Sequence, residues 1–541
     1  MKKRVGMNKK WFHVILAVVL LFAVTAGTFA DTTGDTASVR LERSDWNDDV
    51  KNAVNDLLDQ YGAEGKTPAE KPYAVFDFDN TCSIFDMEEQ TVVYQLQTMA
   101  FEIAPDQMKE IMLTGIPDVK ADRSSYGYFK GSFNDLADDI AADYKTLWGQ
   151  YGPFTANGVS SETAAAMAKD PCWQDFAPRV FMMYEATDGI CSHDVSYPWM
   201  TYLFTGMTEE EVYALTTRAL KEYSKKETSE VTWESPEGFA SKTGPVSYTW
   251  TSGVSVSRNI NELWEALDKN GIDVWVCSAS VTGVIKAAID FFGLHEYCTG
   301  MLGMTDKKDD DGRFINEYNY ETGCGYYATE TGWELMSTPI KVQTQGEGKV
   351  LAIENAIAPE YDGHGPIAGF MDSSGDFNFC TEFDTLKLVV CFNRATRGVT
   401  EGGGLVAETA IYQKETLGYD FAKADEAGDT LYLLQGRDEN GTRALRNSSS
   451  TLRYGQKEET LFKGEENYTQ LDMFEDESLS TEDVFDTWAL TQDAESSDLG
   501  FETGFLEVYD GYHSHTVWES VNRLIRQFTY LTRMRSLEVT P

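Results

Sequence analysis

The sequence predicts an α/β protein built on a mostly parallel sheet with helices on both faces. Three observations carry that prediction. Strand-like and helix-like segments alternate from Asn259 to Phe392. The strand runs are short and apolar, as strands buried between two helical layers are. Three of them end on polar residues, and parallel sheets bind ligands at the carboxyl ends of their strands.

The first thirty residues precede this pattern. Lys2, Lys3, Arg4, Lys9 and Lys10 come before an apolar run from Val14 to Ala26, and Thr28-Phe29-Ala30 offers a cleavage site before Asp31. That is the layout of a signal peptide, with a short apolar run that disfavours an uncleaved anchor. A secreted protein is expected, extracellular or periplasmic according to the envelope. No later segment reads as a membrane span, so no integral membrane segment is expected after signal removal.

The remaining elements follow in order. Trp46–Leu58 is amphipathic and predicts a leading helix. Tyr73-Ala74-Val75-Phe76 predicts a strand running out into the acidic loop Asp77-Phe78-Asp79-Asn80-Thr81. From Cys82 to about Gly244 the pattern is mostly helical and rich in aromatics. Asn259–Lys269 is an amphipathic helix, Ile272–Cys277 a buried strand and Val281–Phe292 a helix. A hairpin-like insertion lies between Asp306 and Gly346. A helix over Lys349–Ala358 follows, then a strand Ile367–Met371 running into Asp372 and a strand Leu386–Phe392. Beyond residue 400, Gly402-Gly403-Gly404 reads as a flexible hinge. Leu431–Leu434 and Thr451–Tyr454 read as strands around the turn-forming Glu439-Asn440-Gly441, and Val517–Leu531 as a helix. The domain boundaries drawn from this are 1–30, 31–81, 82–244, 245–400 and an extension of unknown role at 401–541.

Charge narrows the partners. The 541 residues carry 45 Lys+Arg against 88 Asp+Glu, a net −43 that becomes −48 if the five cations of residues 1–30 are removed. Nucleic acid is not expected as a partner, since phosphate binding needs clustered cations, and neither is an anionic membrane surface. Eight cysteines are spread thinly through the chain. Cys172 with Cys191 is a conceivable disulfide, buried thiols are the commoner outcome elsewhere, and no zinc pattern occurs. Asp309-x-Asp311-Gly312 fails as a calcium loop at both anchoring positions.

The strand ends bring together the parts that phosphoryl transfer requires. Asp77 and Asp79, two apart, can approach one side of a strand end. Ser278 follows the second strand, Asp372 and Asp376 follow the third, and Lys349 opens the helix before it; Lys349 fits this place better than Lys341. A carboxylate can attack phosphorus to form an acyl phosphate. A magnesium ion held by carboxylates offsets the substrate's charge, a lysine and a hydroxyl hold phosphate oxygens, and a second carboxyl can act as acid and base.

These residues resemble the four motifs of the haloacid dehalogenase (HAD) superfamily, in its phosphatase branch. The resemblance implies a Rossmann-like core, an inserted helical cap of the first type and a C-terminal α+β extension. It implies Asp77 as nucleophile and Asp79 as acid/base. Asn80, Thr81, Ser278 and Lys349 would bind phosphate. Asp77, the backbone of Asp79 and Asp372 would bind Mg2+, with Asp376 in support. A closer likeness over about residues 45–395, carried also by Phe85-Asp86, Ser196-Tyr197-Pro198-Trp199, Phe204-Thr205-Gly206 and Gly348-Lys349, is to bacterial secreted phosphorylcholine phosphatases. The implied substrate is phosphocholine or a similar amine-bearing ester. Asp86 and Glu89 are candidates for its amine, and Tyr184, Tyr197 and Trp199 for a cation–π cage. Asp188, His193 and Asp194 cluster nearby. A phosphatase for another small ester, and a binding protein that has lost turnover, are the alternatives left open.

Overall fold

Tyr73–Phe76 is buried at every position, and a strand with no polar face belongs in the middle of a sheet. The computed structural model places it there. It describes residues 39–461 except 63–65, 322–324, 396–401 and 416; the signal peptide expected at 1–30 and the helix expected at 517–531 lie outside the described residues. Eight strands form the central sheet: β1 (Tyr73–Phe76), β2 (Asp273–Val281), β3 (Gly300–Met304), β4 (Gly325–Thr329), β5 (Gly332–Leu335), β6 (Ala368–Met371), β7 (Leu388–Phe392) and β8 (Leu431–Gln435). Their spatial order is β5-β4-β3-β2-β1-β6-β7-β8. All pairings from β3 to β8 are parallel. Among the described residues of this sheet, only β4 pairs antiparallel, with β3 and β5. The mixed α/β fold and the mostly parallel sheet expected from the sequence are therefore present.

Register fixes where the chain leaves the sheet. Val75 lies opposite Trp275 on β2 and Gly369 on β6, so Asp77 emerges at the centre of the carboxyl edge. Gly369 permits a close approach there, since a Cβ at that position would meet Cys380 Sγ at 2.8 Å. One face of the sheet is packed by a cluster that includes Tyr73, Trp275, Met371, Val389, Phe379 and Val406. Elsewhere Phe76 stacks on Phe370 at 4.0 Å and meets Trp264 at 5.4 Å. Burying a large side chain of this kind contributes roughly 2–3 kcal/mol.

The helix α1 (Asp48–Tyr61) is capped by Asn47, which accepts from the N–H of Asp49. Between β1 and β2 the chain forms α2 (Met87–Thr98), α3 (Phe133–Tyr151), α4 (Pro171–Ile190), α5 (His193–Thr201) and α6 (Glu209–Tyr223), with shorter helices among them. This segment is not helical to its end. Ser229–Glu234 pairs antiparallel with Ser247–Ser252, and the strict alternation of half-buried and exposed residues in Ser229–Glu234 is the signature of that hairpin. Trp233 and Trp250 on it join Trp173 and Phe181 in an aromatic cluster.

Three boundaries differ from those expected. β2 runs on past Cys277 to Val281, with a shift of register against β3 in between. The helix carrying Lys349, α7 (Glu347–Ala352), gives way to a π turn over Ile353–Ile357 and a 3-10 turn at Ala358–Tyr361, where Pro359 cannot continue an α-helix. Gly402–Gly404 begins a helix, Gly402–Glu415, and is no hinge. The described residues after 401 are likewise no appendage, because β8 pairs in parallel with β7 from Leu388↔Leu431 to Phe392↔Gln435. Thr451 and Leu452 form isolated bridges, and the Asn440-Gly441 turn closes a hairpin of Arg437–Asp438 with Ala444–Leu445. Cys172 and Cys191 carry free thiols, so the conceivable disulfide is absent. Among the described residues no helix is long and apolar enough to cross a membrane.

Candidate active site

The ends of β1, β2, β6 and β7 open into a cavity of about 280 Å³ lined by Asp77, Ser278, Asp372 and Arg394. At its centre Lys349 Nζ donates to Asp77 Oδ1 at 2.7 Å and to Asp376 Oδ1 at 2.5 Å. Thr81 donates its hydroxyl to Asp77 Oδ2 at 3.0 Å. Asp376 sits in a 3-10 turn and accepts from the N–H groups of Asp372 and Ser373. Asp77, Asp372 and Asp376 are all buried and each offers an oxygen within 4.8 Å of the others.

Eight carboxyl groups line this cavity against two cations, Lys349 and Arg394. Burial and mutual repulsion therefore resist ionisation. Burial, with Asp376 nearby, pushes Asp77 up to about 8 despite Lys349. Burial, with Asp86, pushes Glu88 to about 8 and Glu89 to about 7. Burial also raises Asp79, Asp86 and Asp376. For Lys349 burial works against the charge, but Asp376 and Asp77 outweigh it and hold the ammonium protonated.

Asp79 turns away from the three clustered carboxylates. Its Oδ2 accepts from Ser280 Oγ at 2.6 Å and its Oδ1 from the N–H of Met87 at 2.6 Å. Both oxygens of Asp79 thus accept hydrogen bonds from the chain, and the group of three carboxyls within 4.8 Å of one another is made without it. Ser278 is buried on the cavity wall, and its Oγ accepts from the N–H of Ser280. Asn80 also lines the cavity, yet its N–H is given to Ser83 Oγ and its side-chain oxygen accepts from Arg437. Thr81 thus holds Asp77, and Asn80, expected with it to bind phosphate, is tied into the loop beside the cavity by Arg437. Lys341 is exposed and is not among the residues that line the cavity.

On the side formed by the helical segment, Asp86 caps α2 by accepting from the N–H of Glu89. Glu89 accepts from Tyr248 Oη at 2.9 Å. Tyr184 and Tyr197 line the cavity with Phe181 and Tyr248, which stack at 4.3 Å. Trp199 does not join them. It is wholly buried behind Tyr184, and its indole N–H donates to the carbonyl of Met112. Asp188 pairs with His193 at 2.7 Å outside the lining, and Asp194 holds Gln345, which does line it.

Sequence reasoning missed Ser280, Glu88, Arg394, Phe181 and Tyr248. Ser280 had a signal: two residues from Ser278, it shares that residue's face once the strand is extended. Arg394 lies two residues beyond β7, where a carboxyl-end group is expected.

A solved structure of a conserved, functionally unknown protein from Anaerococcus prevotii DSM 20548 is similar in fold, with a TM-score of 0.60 and 24% identity over 77% of this chain and 99% of its own. A protein of unknown function from Bordetella pertussis Tohama I aligns over 67% of this chain and 98% of its own at 12% identity, with a TM-score of 0.27, too distant to bear on the fold. No family model matches the chain, and no curated protein matches it.

Proposed function

We propose that the chain is a secreted, magnesium-dependent phosphomonoesterase of the HAD superfamily that hydrolyses phosphocholine or a similar amine-bearing ester. One observation carries the reading: Asp77, at the end of the central strand, is gripped by Lys349 and Thr81 inside a buried cavity with Asp372 and Asp376. The donor set fits magnesium, because hard carboxylate oxygens converge in a place with more acids than cations. Asp77, Asp372 and Asp376 would hold the ion, and when bound it supplies positive charge that offsets the phosphate.

In this reading Asp77, kept ionised against burial by Lys349 and by the charge the ion would supply, attacks phosphorus and forms an aspartyl phosphate while the ester P–O bond breaks. Asp79, whose proton burial retains, passes that proton to the departing alkoxide. As a carboxylate it then takes a proton from the water that attacks the aspartyl phosphate, releasing inorganic phosphate and restoring Asp77. Lys349 and Ser278 hold phosphate oxygens. The helical segment 82–244 acts as the cap, with Asp86 and Glu89 facing the amine and Tyr184 and Tyr197 offering ring faces to a quaternary ammonium.

Asp77→Asn tests the chemistry. Magnesium-dependent phosphate release from an aryl phosphate should vanish; an unchanged rate removes Asp77 as nucleophile. Initial rates on phosphocholine, phosphoethanolamine and a sugar phosphate test the substrate class, and equal rates on all three remove the choline assignment.

A further inference from the structure

The segment from β8 onward lies outside the stretch that resembles phosphorylcholine phosphatases, yet it reaches the nucleophile loop. Arg437, two residues past β8, is 1% exposed. Its Nη1 donates to the backbone carbonyl of Asn80 at 2.7 Å and its Nη2 to Asn80 Oδ1 at 3.3 Å. Its Nε and Nη2 donate to Glu439 Oε1 at 3.0 and 2.7 Å. Asn80 has φ +63°, a left-handed conformation that few non-glycine residues adopt. It lies three residues after Asp77 and immediately before Thr81, whose hydroxyl holds Asp77. We propose that Arg437 is a positioning residue for phosphoryl transfer, and that the chain from β8 to about Leu461 is part of the catalytic unit. This rests on the reading of Asp77 as nucleophile.

The chemistry of the contact favours arginine. A planar fork can satisfy a carbonyl and a side-chain oxygen of the same residue while pairing with a carboxylate, and a lysine ammonium cannot span all three. A buried guanidinium needs its counter-charge fixed in place. Glu439 is so fixed: its Oε2 accepts from the N–H of Tyr454 at 3.3 Å, and its own N–H donates to the carbonyl of Leu452. The Arg437 N–H donates to Thr451 Oγ1 at 3.1 Å.

The same segment braces the opposite side of the site. Asn393 donates from Nδ2 to the carbonyls of Ser449 and Leu461 at 3.0 and 2.9 Å. The next residue, Arg394, donates to Asp372 Oδ2 at 3.0 Å. Residues 431–461 thus hold both the nucleophile loop and the carboxylate that faces it. Removing Arg437 leaves a buried carbonyl without its donor and releases a strained turn, and a shift of about 1 Å at a reacting atom can cost ~10²-fold in rate.

The test uses the full-length protein with Arg437→Ala and Arg437→Lys. On a magnesium-dependent aryl phosphate assay, kcat should fall ~10²-fold in both, with KM within about threefold. Free guanidinium should restore kcat of Arg437→Ala by at least ~10-fold and leave Arg437→Lys and Asp77→Asn unrestored. Amide hydrogen exchange across residues 78–83 should be faster in both variants than in the wild type. A kcat within about threefold of wild type, or a loss with no guanidinium rescue and unchanged exchange at 78–83, overturns the proposal. Should Arg437→Ala fail to fold, kcat and exchange in Arg437→Lys decide it. Should the wild type hydrolyse no phosphate ester, the nucleophile reading fails, while exchange at 78–83 still supports or overturns the brace.

Discussion

Replacing Lys349 by Met strikes the electrostatic centre of the site. Its Nζ lies within 2.7 Å of Asp77 and 2.5 Å of Asp376, and all three side chains are less than a tenth exposed. At an effective dielectric of ~20, unit charges this close attract by about 6 kcal/mol. Desolvation offsets much of that, and deleting one partner of a buried pair costs about 3–5 kcal/mol. The cost should depend on pH. Asp77 is raised from 3.8 to about 8, so the folded state binds its proton more tightly, and ionising it weakens the fold as pH rises toward and through 8. Without Lys349 the main charge that opposes burial is gone, so both carboxyls hold their protons more firmly, and at pH 6 much of the loss is relieved. Urea unfolding without metal should therefore show a destabilisation at pH 9 that exceeds the one at pH 6 by about 1–2 kcal/mol. With magnesium, kcat should fall ~10²–10³-fold. Equal destabilisation at the two pH values, or a kcat within threefold of wild type, would refute the reasoning.

Three further perturbations test other parts of the site and its frame. Ser280→Ala removes the 2.6 Å bond that orients Asp79 and should lower kcat ~10-fold with KM unchanged; an unaltered kcat shows that Asp79 does not depend on it. Tyr184→Leu should raise KM for phosphocholine about fivefold, the equivalent of ~1 kcal/mol of cation–π attraction, and leave KM for ethyl phosphate within twofold. Equal shifts on both esters remove Tyr184 from the head-group site. Glu209 is a buried latch between α6 and the core: burial opposes its charge, but Lys286 and Lys308 prevail and hold its carboxyl at about 2. A carboxyl depressed in this way stabilises the fold above its ordinary 4.5, and that contribution is lost as pH falls toward 2. Glu209→Gln should accordingly cost about 3 kcal/mol at pH 7 in chemical unfolding, with the gap closing by about pH 2–3; a gap constant with pH counts against the latch.

What could be read from the sequence was what local pattern encodes. Tyr73–Phe76 announces itself as a buried strand, and the acids that follow it can only lie at its end. Lys349 was separable from Lys341 because a helix start at 349 leaves room for the next strand; Lys341 proves to be exposed with φ +58°. Ser280 was lost because Ser278-Ala279-Ser280 carries no apolar signal, although pairing with β3 resumes at Val281. Trp199 was misplaced because an aromatic residue on a helix does not reveal which neighbour its ring meets, and here the indole found Met112. Arg394 is a charged residue in a loop and Arg437 opens a two-residue strand, and only tertiary contacts bury them. The place of β8 was hidden for a similar reason, since a strand's partner in a parallel sheet is set by pairing at a distance.

That pairing has a consequence for the integrity of the chain. Leu388-Val389-Val390-Cys391-Phe392 is an uncharged, wholly buried pentapeptide whose outer row of backbone groups is occupied by Leu431–Gln435. A nick in the connection between the two strands that let the downstream piece dissociate would bare a flat, sticky edge of the kind that recruits further strands. Such a clipped product should precipitate rather than persist as a smaller protein, so a nick between the two strands should show first as lost solubility.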